Sequence, residues 1–110
     1  MEFNARRRQI FQNKTIIIGV MKIMETPDII EVRALEGFFI YIKFETGEEK
    51  VFDMTEHIEK IQFYNKLKKR KYFENVKPRG DTIEWEHGED VAPEILYFES
   101  IPINEFKRIV

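Results

Sequence analysis

Between residues 29 and 53 the chain is rich in β-branched and aromatic residues that partly alternate with polar ones. Ile29-Ile30-Glu31-Val32-Arg33-Ala34-Leu35 is rich in β-branched residues, and Glu36-Gly37 reads as a turn. Phe38 to Glu45 places Phe38, Ile40, Ile42 and Phe44 on one face of a second strand and Phe39, Tyr41, Lys43 and Glu45 on the other. Thr46-Gly47 offers the positive φ that a tight hairpin needs, and Lys50-Val51-Phe52-Asp53 returns as a third, antiparallel strand.

Asp53-Met54-Thr55-Glu56 has the spacing of a capping box and predicts a short helix over about Thr55–Ile61, with Ile58 and Ile61 on one inward face. A second helix is predicted over Lys66–Phe73, with Leu67 and Tyr72 or Phe73 as its apolar stripe. Pro78-Arg79-Gly80-Asp81 is a turn joining Asn75–Lys77 to Thr82–Trp85 in a hairpin. Glu86–Glu89 is another turn, and Pro93 suits the first turn of a helix. The expected fold is a small α+β domain: three antiparallel strands, a short helical segment, then a β-hairpin in the same sheet, with helices packed on one side. A weakly structured tail is expected after residue 98.

Composition narrows the class. The chain has 110 residues, 43% of them apolar and 14% aromatic, which is core material for one domain and excludes wholesale disorder. It has no cysteine, which removes disulfides, thiolate metal sites and cysteine nucleophiles. The net charge of −2 is uneven. Residues 1–20 hold four bases (Arg6, Arg7, Arg8, Lys14) against Glu2, for +3, and residues 21–110 carry −5. Residues 1–20 therefore read as a basic, flexible arm preceding a single domain over 21–110. An acidic body disfavours nucleic acid as the default partner. Ile16–Met21 is far shorter than a membrane span and lacks the features of a signal peptide, so a soluble cytoplasmic protein is expected, with no membrane association.

Two blocks carry a resemblance. Gly37 to Asp53, with Phe44-Glu45-Thr46-Gly47-Glu48 followed by Val51-Phe52-Asp53, and Thr82 to Tyr97, where Trp85 leads through Gly88 and Asp90 to Ala92-Pro93 and Leu96-Tyr97, are together similar to the bacterial domain of unknown function 2442 family over about residues 24–98. The resemblance implies a small α+β domain without assigned enzymatic activity and, for some members, an antitoxin-like or partner-binding role. Members with an added helix-turn-helix differ from this chain, since nothing after Tyr97 reads as two helices joined by a tight turn.

Candidate chemistry is sparse. His87 among Glu84, Glu86, Glu89, Asp90 and Glu94, and His57 beside Glu56, lack a metal-ligand spacing. No phosphate-cradling loop, nucleophile elbow or catalytic constellation is visible. No catalytic, cofactor or metal residue is therefore assigned, and a non-enzymatic module that binds another protein or a second copy of itself is expected. Its contact residues would be Phe39 and Tyr41 on the second sheet face, with Lys68, Lys69, Arg70 and Lys71 as a polar rim. That face is either open for association or covered by Ile16–Ile18 or by the tail through Ile101, Ile103 and Phe106. The alternative is nucleic-acid binding through the basic ridge Lys66–Lys71 and the Arg6–Arg8 arm.

Overall fold

The computed structural model describes residues 25–110. The basic arm expected over residues 1–20, including Arg6–Arg8 and Ile16–Ile18, lies outside the described residues. Strands β1 (Ile29–Ala34), β2 (Phe39–Phe44) and β3 (Glu49–Asp53) form an antiparallel meander, as the alternation predicts. Gly47, at φ 94°, makes the turn from β2 to β3, where its N–H donates to the Phe44 carbonyl at 2.8 Å. Then come helix α1 (Thr55–Lys60), a 3-10 segment (Gln62–Lys68), the four-residue helix α2 (Arg70–Phe73) and the hairpin β4 (Lys77–Arg79) with β5 (Thr82–Glu84). Helix α3 (Pro93–Glu99) starts at its proline, and strand β6 (Ile101–Pro102) and helix α4 (Ile103–Ile109) complete the order.

The hairpin does not extend the main sheet. The sheet order is β1-β2-β3-β6, and β4-β5 is a separate two-stranded ribbon. The two meet where the Ile29 N–H donates to the Gly80 carbonyl at 2.8 Å and the Thr26 hydroxyl donates to Asp81 at 2.7 Å. Pro78 has no N–H to add to a ladder, so a short ribbon suits it better than a central strand.

Strand β2 is apolar on both faces, and each face has its own cover. Ile40, Ile42 and Phe44 are fully buried with Phe52 beneath Ile58, Leu67, Phe73, Ile83, Trp85 and Leu96. Helices α1 to α3 pack on this side, as expected. The tail is ordered rather than loose: β6 pairs with β3 through Ile101↔Val51, and α4 follows across the opposite face. There Phe106 meets Phe39 edge-on at 5.1 Å, Val51 is buried, and Arg33 lies 4.3 Å over the Tyr41 ring. The Tyr41 hydroxyl donates to Glu49 at 2.7 Å, and that bond, with burial, raises its pKa.

Two local expectations are corrected. The capping box does not close: Asp53 accepts from the Thr55 N–H at 2.9 Å, while Glu56 turns to Lys60 at 2.7 Å. The single helix over 66–73 is broken at Lys69, which is extended at φ −80°, ψ 117°. Tyr64, Leu67 and Phe73 are all buried. At about 100° per residue a continuous α-helix sets Leu67 and Phe73 roughly 120° apart, so one stripe cannot bury both. The 3-10 stretch instead eclipses Tyr64 and Leu67, and the break re-aims Phe73 into the core.

The loop after β5 is fastened from several sides. The Trp85 indole donates to the Phe73 carbonyl at 2.8 Å, and the Tyr64 hydroxyl to the Asp90 carbonyl at 2.7 Å. Thr82 donates to the Val91 carbonyl, and Tyr72 to the buried Glu89 carboxylate at 2.6 Å. Gly88, at φ 96°, permits the reversal. Trp85→Phe leaves the Phe73 carbonyl unpaired in the core, and urea unfolding should show a loss of about 2 kcal/mol with an unchanged slope.

Tyr97 ties α3 to the β2–β3 turn. Its hydroxyl donates to both Glu48 oxygens, at 2.7 and 2.9 Å, and Lys50 sits 4.1 Å over its ring. Burial, then the Glu48 bond, push the Tyr97 pKa up to about 12. A phenol held protonated in the fold stabilises it fully below the unfolded value near 10, and that contribution disappears as pH climbs to about 12. Alkaline unfolding measured by circular dichroism should therefore be shallower for Tyr97→Phe than for the native chain between those limits.

Candidate partner-binding surface

The residues predicted to bind a partner are not brought together. Tyr41 is buried, and Phe39 is half-buried against Phe106, so the tail covers part of the second sheet face. The ridge residues Lys68, Lys69, Arg70 and Lys71 are all exposed, but Arg70 is engaged by hydrogen bonds. Its guanidinium donates to the Gly37 and Leu35 carbonyls and, at 2.8 Å, to Glu74, clamping α2 onto the β1–β2 turn. Phe73 is buried, and Tyr72 is stacked on His87 at 5.3 Å with its hydroxyl bonded, so neither presents a free ring for base stacking.

The exposed apolar surface lies elsewhere. Ile61 does not share Ile58's inward direction: α1 ends at Lys60, Ile61 is extended at φ −113°, ψ 113°, and it is 43% exposed. Phe63, on the 3-10 segment, is 57% exposed and touches Tyr64 edge-on at 5.1 Å. Beside them runs an open groove of about 300 Å³, lined by Ile58, Ile61 and the polar groups of Glu59, Lys60, Gln62, Asn65 and Lys68. Lys68 also borders a second groove of about 500 Å³, formed with Glu36, Gly37, Phe38 and Arg70.

The acidic loop is occupied with itself. Arg79 lies 3.5 Å from Glu84 and 3.9 Å from Asp90, and Lys66 lies 3.2 Å from His87 Nδ1. Burial, then the Glu89 bond, raise the Tyr72 pKa. Among the described residues no three His, Asp or Glu side chains gather to hold a metal ion, and no helix is long and apolar enough to cross a membrane.

A family model described as "Protein of unknown function (DUF2442)" matches residues 29–102. The chain belongs to the DUF2442 family. Comparison with curated proteins and with solved structures found no match. The DUF2442 match takes in β1 through β6 and stops before α4. Both blocks that carry the likeness in sequence are built into the DUF2442 frame: Phe44 and Phe52 of the first and Trp85, Val91 and Leu96 of the second are in the core, and Thr82 and Glu89 are buried polar groups with hydroxyl–oxygen bonds.

Nothing in the sequence pattern separates Arg70 from its lysine neighbours, because its two carbonyl acceptors come from a turn over thirty residues away. Ile61 was masked by its i, i+3 spacing from Ile58, which sets a shared face only while a helix continues. Arg70→Ala should lower stability by about 1 kcal/mol, discounted for its partial exposure, and Arg70→Lys should not restore it, since an ammonium cannot span both carbonyls. Lys69→Ala should change the urea midpoint by less than the equivalent of about 0.5 kcal/mol.

Proposed function

We propose that this DUF2442 domain is a non-enzymatic protein-binding module, regulatory in the manner of an antitoxin, that meets its partner in the cytoplasm. The observation that carries the reading is the exposure of Ile61 and Phe63, with Ile61 lining a groove; Ile95 and Phe98 on α3 are exposed as well. Apolar area left in water gains nothing from folding, and where it adjoins a groove it suits a surface that becomes covered on association. The elements beneath are rigid: Ile58, Tyr64 and Leu67 are buried, so the exposed pair sits on a fixed base and loses little freedom when a partner arrives.

The nucleic-acid reading loses support from the hydrogen-bonded Arg70, the burial of Phe73 and the engaged Tyr72. The test is affinity capture from the protein's own cells with the full chain, after nuclease treatment. A protein should remain bound to the native chain, and Ile61→Asp and Phe63→Asp should each reduce its recovery at least tenfold. Ile30→Asp, a control on the β1 edge at 59% exposure, should retain it. Capture that vanishes with nuclease, or that all three variants affect equally, counts against the proposal.

A further inference from the structure

The chain around this groove has an unusual charge distribution. From Lys60 to Lys71 there are six basic residues and no acidic one, in a body that carries −5 over residues 21–110. Three of the six are engaged: Lys60 with Glu56 at 2.7 Å, Lys66 with His87 and Arg70 with Glu74 and two carbonyls. Lys68, Lys69 and Lys71 are exposed and make no ion pair among the described residues. Like charges this close in sequence repel one another.

The groove lining is mixed: Ile58 and Ile61 are its apolar members, and Glu59 stands there against Lys60 and Lys68, with Gln62 and Asn65 between. Phe63, Lys69 and Lys71 follow in the chain and are exposed. We infer that the groove receives a short acidic segment of a partner protein, with one bulky aliphatic or aromatic residue seated against Ile61 and Phe63 and carboxylates facing Lys68, Lys69 and Lys71. This rests on the protein-binding reading and specifies its occupant. An apolar anchor supplies affinity, while the lysine rim selects charge and speeds encounter. A polyanion without an apolar or aromatic group would leave Ile61 and Phe63 in water, and an oligonucleotide probe distinguishes base stacking on Phe63 from peptide binding.

The direct test uses the full chain and fluorescence anisotropy with four probes: Glu-Glu-Leu-Glu-Glu-Leu-Glu-Glu, its lysine-for-glutamate counterpart, an octaglutamate and a single-stranded thymidine 20-mer. The mixed acidic peptide should bind at least tenfold more tightly than each of the others, and its affinity should fall several-fold as salt rises from about 50 to 300 mM. Lys68→Glu combined with Lys69→Glu should weaken it at least tenfold, and Ile61→Asp by a similar factor. Amide shifts on titration should centre on residues 61, 63 and 68. Equal binding of the lysine peptide, preference for the oligonucleotide, absence of peptide binding or salt-independent binding each overturns the inference, and the salt series on the native chain stands even if a variant misfolds. Retention of a nuclease-resistant cellular partner by the Lys68→Glu, Lys69→Glu chain would reject the acidic occupant while leaving the module reading intact. Failure to capture any protein would reject that reading itself.

Discussion

A central strand that is apolar on both faces governs the architecture. Ile40, Ile42 and Phe44 on one side of β2, and Phe39 and Tyr41 on the other, leave no side for water, so the chain must build two covers from few residues. It uses most of the length between β3 and α3 for the first, in pieces of three to seven residues that are each too short to stand alone. The second comes from the end of the described chain, where α4 reaches Phe39 through Phe106. Because short elements draw little stability from themselves, side-chain bonds to distant backbone carbonyls join them, as Arg70, Trp85, Tyr64 and Lys50 do.

Those joints give the family pattern a physical meaning. Trp85 and Tyr97, prominent in the DUF2442-like block, tie α2 to the hairpin and α3 to the β2–β3 turn. Glu89 is a buried carboxylate kept in place by Tyr72, whose oxygen in turn accepts from the His87 N–H at 2.8 Å. A loop so engaged specifies one backbone path. Ile61, Phe63 and the exposed lysines, on which the proposed partner binding rests, lie outside these blocks.

The legible parts of the fold were those set by local rules. Alternation fixes β1 to β3 to within a residue or two, and Gly47, the Pro78–Asp81 turn and Pro93 each mark a boundary through their own backbone preferences. What could not be read depends on contacts distant in sequence. Ile101 to Ile109 have mixed polarity and become strand and helix only against β3 and Phe39. The break at Lys69 follows from where three separate side chains must go. The candidate surface was legible in its charge, at Lys68 and Lys69, but its apolar half was hidden. Ile61 looks like a core residue until the helix is seen to end one position earlier.

The two-residue strand β6 closes the sheet with Pro102 opposite Lys50. A proline there lends no amide to a fifth neighbour, and so short a ledge gives an incoming ribbon little to grip. Growth of the sheet into a fibre is thereby discouraged from that margin. The same few residues that lead the chain over to its second cover also act as a guard against amyloid-like stacking.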